Sequence, residues 1–139
     1  MSVSISLVPV LVASLLSFIL GWIWYSPLLF GNVWMKEMGM KKPDKMDAKM
    51  KSKMMNSMCF GFLFTLLTSY VFAHFLYYMD VNTFNGVAQL SVWLWLGFML
   101  PVIMTGYLWE NKTLLLVAIS GGQTLASLML AGMVIISMN

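Results

Sequence analysis

Four stretches of about twenty or more residues with almost no charged side chain recur along this chain, and that recurrence limits the possible fold more than any single motif does. We place them at about Ile5 to Tyr25, Asn56 to Met79, Gly86 to Trp109 and Thr113 to Met138. Each is long enough to cross a bilayer with some tilt. A very apolar soluble globule is excluded, because 9% charged residues against 60% hydrophobic ones cannot coat a water-facing surface. The expected fold class is therefore an all-α membrane protein with a single transmembrane domain over residues 1–139. We expect a compact bundle of four transmembrane helices, with a cytoplasmic amphipathic helix between the first two spans. The first span has no basic residue before it and runs past the length of a signal-peptide core, so it is read as retained.

Sidedness follows from lysine placement, since short loops rich in Lys and Arg stay in the cytoplasm. Lys36, Lys41, Lys42, Lys45, Lys49, Lys51 and Lys53 lie in the first connection, the basic segment 31–55, and Lys112 lies in the third. Four spans put those two connections on one side, which leaves both termini and the Asp80 turn outside the cytoplasm. Tryptophan and tyrosine concentrate at membrane–water interfaces, and Trp22, Trp24, Tyr25, Trp34 and Trp109 fit an inner anchoring belt, with Pro27 ending the first span. Tyr77 and Tyr78 mark the outer edge. Trp93 and Trp95 fit neither, because they fall well inside the third span.

Within the basic segment, Pro43 and Asp44 suit a helix start. Met46, Met50, Met54 and Met58 then recur every four residues beside Lys45, Lys49 and Lys53. An amphipathic surface helix running into the second span is expected there, its lysines facing anionic lipid headgroups. A methionine-lined copper site is the weaker reading, because fifteen Met spread through the chain behave as apolar filling.

Small residues at four-residue spacing allow membrane helices to approach closely. The second span carries Ser57, Gly61, Thr65, Ser69 and Ala73 on one ridge. Ala13, Ser17 and Gly21 form one in the first span, Gly97, Pro101 and Thr105 in the third, and Ala118, Gly122 and Ala126 in the fourth. A tightly packed antiparallel bundle follows, without a wide aqueous lumen. Pro101 removes a backbone hydrogen bond and predicts a kink whose freed carbonyl lies near Gly97.

Polar groups inside the apolar spans are costly and mark candidate sites. His74 stands with Tyr70 and Tyr78 one turn away on its face, as an imidazole held among tyrosines or, in the sharper reading, a proton relay or haem ligand. Gln123, beside Gly121, Gly122 and Thr124, needs an amide partner across a helix interface. His74, Gln123, Pro101, Tyr70 and Thr124 are thus the ligand or pathway candidates. One histidine, one cysteine (Cys59) and no intramembrane acid leave no nucleophile paired with a base and no metal cluster. No enzyme activity, cofactor or metal is expected, and a net charge of +3 is too small and local for nucleic-acid binding.

The run Trp24-Tyr25-Ser26-Pro27-Leu28-Leu29-Phe30-Gly31, followed by Trp34-Met35 and Met38-Gly39, resembles a bacterial membrane family known as domain of unknown function 1761. Ala73-His74-Phe75, Trp95-Leu96-Gly97-Phe98 with Pro101, and Leu108-Trp109-Glu110 are similar to its pattern too, so the resemblance covers nearly the whole chain. It implies a small four-helix protein of the bacterial inner membrane and implies no activity. The expected function is a membrane module that acts by helix packing, as a homo-oligomer or as an accessory subunit of a larger membrane complex. The alternatives are an oligomeric small-solute or ion transporter and, third, a haem or quinone carrier.

Overall fold

A computed structural model describes residues 5–39 and 47–138, and among these the regular structure is entirely helical. The elements are α1 (Leu7–Trp24), α2 (Gly31–Met38), α3 (Ala48–Tyr78), α4 (Phe84–Leu94), a π-helical turn (Trp95–Met99), α5 (Leu100–Trp109) and α6 (Leu114–Met138). Four helices are long and apolar enough to cross a membrane: α1, α3, α6 and the third span Phe84–Trp109, built from α4, the π turn and α5. The many exposed Leu, Phe, Val and Ile side chains along them would be untenable in water and suit a lipid surround. The chain is a multi-pass membrane protein.

Local chemistry explains where the helices stop. At the end of α1 the Ser26 hydroxyl donates to the Ile23 carbonyl (2.6 Å) and accepts from the Leu28 amide (3.3 Å), while Pro27 has no N–H with which to continue the helix. The Gly31 amide then donates to the Ser26 carbonyl at 2.9 Å, which turns the chain into α2. A Cβ at Gly31 would collide with the carbonyl oxygens of Tyr25 and Ser26, so the turn admits only glycine. The α3 end closes with Asp80 in left-handed conformation (φ 52°), the Val81 amide donating to Leu76 and the Asp80 amide to Tyr77.

The short helix α2 was not anticipated from the sequence. The proposed helix start at Pro43 and Asp44, with Lys41, Lys42, Lys45 and Met46, lies outside the described residues. Within them, the Asp47 carboxylate caps α3 by accepting from the Met50 amide at 2.7 Å. From there α3 runs for 31 residues without a break, so the stretch bearing Lys49, Lys51 and Lys53 is continuous with the second span.

The central element is α6, which packs against α1, α3, α4, the π turn, α5 and α2, whereas the third span leans chiefly on α6. Leu116, Val117 and Ile119 are buried near the start of α6, and the larger buried cluster lies toward the other end. Val10, Ala13, Phe72, Ala73, Leu76, Val87, Leu128, Ala131 and Ile135 all gather at the end carrying the Asp80 turn. At the opposite end Thr113 Oγ1 donates to Glu37 Oε2 (2.9 Å), so α2 and the α5–α6 turn with its Lys112–Glu110 pair (3.2 Å) share one end. The two lysine-bearing connections therefore meet, as their charge pattern requires.

Two expectations about the third span need correction. Gly97, Pro101 and Thr105 do not pack inside the bundle: all three are exposed, and a Cβ on Gly97 would meet nothing within 4 Å. The face that the third span buries carries Val87, Ser91 and Gly106 instead. Pro101 also acts otherwise than through a simple kink, since the Leu100 amide reaches back five residues to the Trp95 carbonyl, and the wider π turn sits immediately before the proline in α5. Ala118 is exposed as well, and leaves the α6 ridge.

Candidate functional site

Next to the larger buried cluster, and sharing Leu128 and Ala131 with it, α1, α3 and α6 enclose a cleft of about 500 Å³, bounded on one side by Met99 of the π turn. The small-residue ridges make it: Gly21 and Gly61 contribute no side chain, and Ser17, Thr65, Ser69 and Ser127 contribute short ones. Packing ridges thus predict a site wall as well as a helix interface, and the cleft corrects the expectation of a bundle packed tightly throughout.

Gln123 lies on this wall. Its Nε2 donates to Ser127 Oγ at 2.8 Å, one turn along the same helix, and a Cβ on Gly21 would stand 3.1 Å from that nitrogen. The amide's partner is therefore intrahelical, where a partner on another helix was expected, and Gln123 Oε1 accepts no hydrogen bond from a described residue. The Ser17 hydroxyl donates across to the Ser127 carbonyl at 3.3 Å. Thr65 and Thr68 donate to carbonyls of their own helix. Ser69 is 1% exposed and lines the cleft, and its hydroxyl makes no hydrogen bond to a described residue. No carboxylate, ammonium or imidazole lines the space.

Two indoles fasten the wall of α6. Trp24 Nε1 donates to the Ile119 carbonyl at 3.0 Å, and its ring rests where a Cβ on Gly122 would stand 3.1 Å from Trp24 Cζ2. Trp95 Nε1 donates to the Gly121 carbonyl (2.8 Å), with Thr124 Oγ1 at 3.1 Å, and Thr124 in turn donates to the same carbonyl at 2.8 Å. Each interhelical bond of this kind contributes about 0.6 kcal/mol, up to about 1.7. Trp24 is accordingly a strut directed inward from the first span. That corrects its place in the belt. The role of Trp95 was missed, although an indole N–H deep in a span needs an acceptor, and the Gly121-Gly122 pair three residues before Thr124 is the bare backbone that supplies it.

Of the remaining candidates Thr124, Trp22 and Tyr25 border the cleft, and the others do not converge on it. His74 Nδ1 donates to the Tyr70 carbonyl at 2.9 Å, with the Tyr70 ring 4.6 Å and the Tyr78 ring 6.4 Å away. It is a locally satisfied imidazole on the α3 flank, and neither His74 nor Tyr70 lines the cleft. Pro101 is exposed and also outside it. Trp22 (68% exposed) and Trp109 (83%) point outward as anchors would, Tyr25 and Trp34 stack edge to face at 5.8 Å, and Pro27 is exposed in its turn. Lys49 and Lys53 are exposed, and Lys45 lies outside the described residues. Ala126 is half-buried on α6. Among the described residues no three His, Cys, Asp or Glu side chains gather to hold a metal.

Chemically the cleft offers hydroxyls, one carboxamide oxygen and thioethers, a set suited to holding a neutral molecule. The family described as "Protein of unknown function (DUF1761)" matches residues 8–136 of the chain. No curated protein and no solved structure matches it.

Proposed function

We propose that this chain, which belongs to the DUF1761 family, is a non-enzymatic module of the bacterial inner membrane that works by helix packing, as a homo-oligomer through its third span or as an accessory subunit of a larger complex. One observation carries this reading. In the third span only 11% of the most apolar window is buried, against 33% in α6, and the exposed side holds Gly97, Pro101 and Thr105 between Trp93 (70% exposed) and Phe98 (74%). Small residues at four-residue spacing are the surface on which membrane helices approach closely.

The basic start of α3 then lies at the cytoplasmic face, with Lys49 and Lys53 against anionic headgroups and both termini outside. The matching test of sidedness is labelling in intact cells: a cysteine at Asn82 in a Cys59→Ser background is modified by an impermeant maleimide, and one at Asn111 is not. The reverse pattern inverts the orientation.

Oligomerisation is tested by purification in mild detergent, native mass spectrometry and oxidative cross-linking of Gly97→Cys in the Cys59→Ser chain. The expected result is a defined oligomer or a co-isolated membrane subunit, with disulfide-linked dimers at Gly97→Cys, none at Leu63→Cys, and dissociation by Gly97→Leu. A stable monomer that isolates alone and forms no cross-link overturns the reading. A small-solute transporter assembled from several copies is the second reading, favoured by the uncharged polar cleft. Proteoliposome flux lowered by Gln123→Ala but not by His74→Ala supports it, and flux indifferent to Gln123→Ala removes it.

A further inference from the structure

The cleft has an apolar neighbour. A second cavity of about 340 Å³ lies between α3 and the third span, and Thr68, Met99 and Leu128 line both spaces. Apart from Thr68 this second space is walled by apolar side chains, among them Leu67, Val71, Phe75 and Phe98. The two parts have opposite character. One offers Gln123 Oε1 and the 1% exposed Ser69 hydroxyl, both without a partner among the described residues, and the other offers hydrocarbon.

An unpartnered polar group inside a membrane protein carries a desolvation penalty that a ligand's hydrogen bond removes. A buried charge would meet no counter-ion here. We propose that the two adjacent spaces act together as a binding site for a neutral amphiphile. Its hydroxyl-bearing head donates to Gln123 Oε1 and bonds Ser69, and its apolar tail lies along the groove between α3 and the third span. The combined space falls within the range of small-molecule pockets. Met54 and Met58 at the mouth give it adaptable walls. The shared chemistry, a hydroxyl head on an apolar tail, has two sources in a membrane: a diacylglycerol-type lipid or a quinol.

The test is native mass spectrometry of the full chain released from detergent, titrated with 1,2-dioctanoylglycerol, decylubiquinol and, as the charged counterpart, dioctanoylphosphatidylglycerol. Saturable binding of a neutral probe is expected, about ten-fold tighter than the anionic one, with the tighter neutral probe naming the source. Gln123→Leu and Ser69→Val each weaken it by about ten-fold. Val71→Trp, at an exposed groove position that leaves the core untouched, weakens it through the tail even if the buried variants fail to fold. Equal retention of all three probes, no saturable binding, or affinity unchanged by both Gln123→Leu and Val71→Trp overturns the site and leaves only acyl chains of the surrounding lipid.

Discussion

At Gly132 the α6 backbone comes so close to its neighbours that an added Cβ would stand 2.5 Å from Val87 Cγ1 and 2.8 Å from Phe72 Cε1. Both atoms belong to buried core side chains, so neither can yield without opening the core. Gly132→Ala is expected to cost about 1–3 kcal/mol, read as a lower melting temperature in a fixed detergent. Gly61→Ala, whose Cβ would meet only Phe18 at an ordinary 3.7 Å, should melt like the parent, and equal losses at the two sites would refute the close-approach argument. Ser91 runs the other way. Its hydroxyl is wholly buried in α4 and has no hydrogen-bond partner among the described residues. Removing an unsatisfied polar group relieves its desolvation cost, so Ser91→Ala should raise stability by about 1 kcal/mol, and a destabilised variant would show that the hydroxyl has a partner after all.

The π turn shows how one residue shapes an element. Pro101 cannot donate to the helical ladder, and the strain is taken up just before it, where the Leu100 amide bonds the Trp95 carbonyl. The extra residue in that turn changes the direction of the side chains ahead of it, and Trp95 reaches the Gly121 carbonyl from there. If the proline sets the indole's position, Pro101→Ala and Trp95→Phe act on one device, and their stability effects should fall short of additivity by about 0.5 kcal/mol or more. Additive losses would separate them. The proline was legible in the sequence, but the form of its accommodation was not, because a kink, a π turn and a hydration site all satisfy the same missing donor. The eight residues of α2 escaped for a related reason: so short a helix carries barely two turns of periodicity, and its start depends on a backbone clash at Gly31 that composition does not reveal.

Across the whole molecule the spans were readable, since their apolar length is fixed by the bilayer. The site was only half readable. Lipid-facing and core-facing side chains are chemically alike in a membrane protein, so nothing in composition separates exposed Leu63 and Phe64 from buried Phe72 and Leu76 on the same helix. Small residues were the best guide, and they located Gly21, Gly61 and Ser69 around the cleft while misplacing Gly97. What they could not show is that the buried residues of α3, Ser69, Phe72, Ala73 and Leu76, are confined to its second half. With the buried residues of α3 drawn to its Asp80 end, truncation should have unequal consequences at the two ends of this helix. Phe72→Ala or Leu76→Ala removes a buried side chain and should cost about 2–5 kcal/mol. Met54→Ala, at the exposed mouth of the cleft, should change stability by no more than about 0.5 kcal/mol. Hydrogen exchange gives the same contrast without mutation: amides of α3 near Phe72 should outlast those near Met54 by a margin that follows local packing, and uniform protection along α3 would mean the two ends are equally well held.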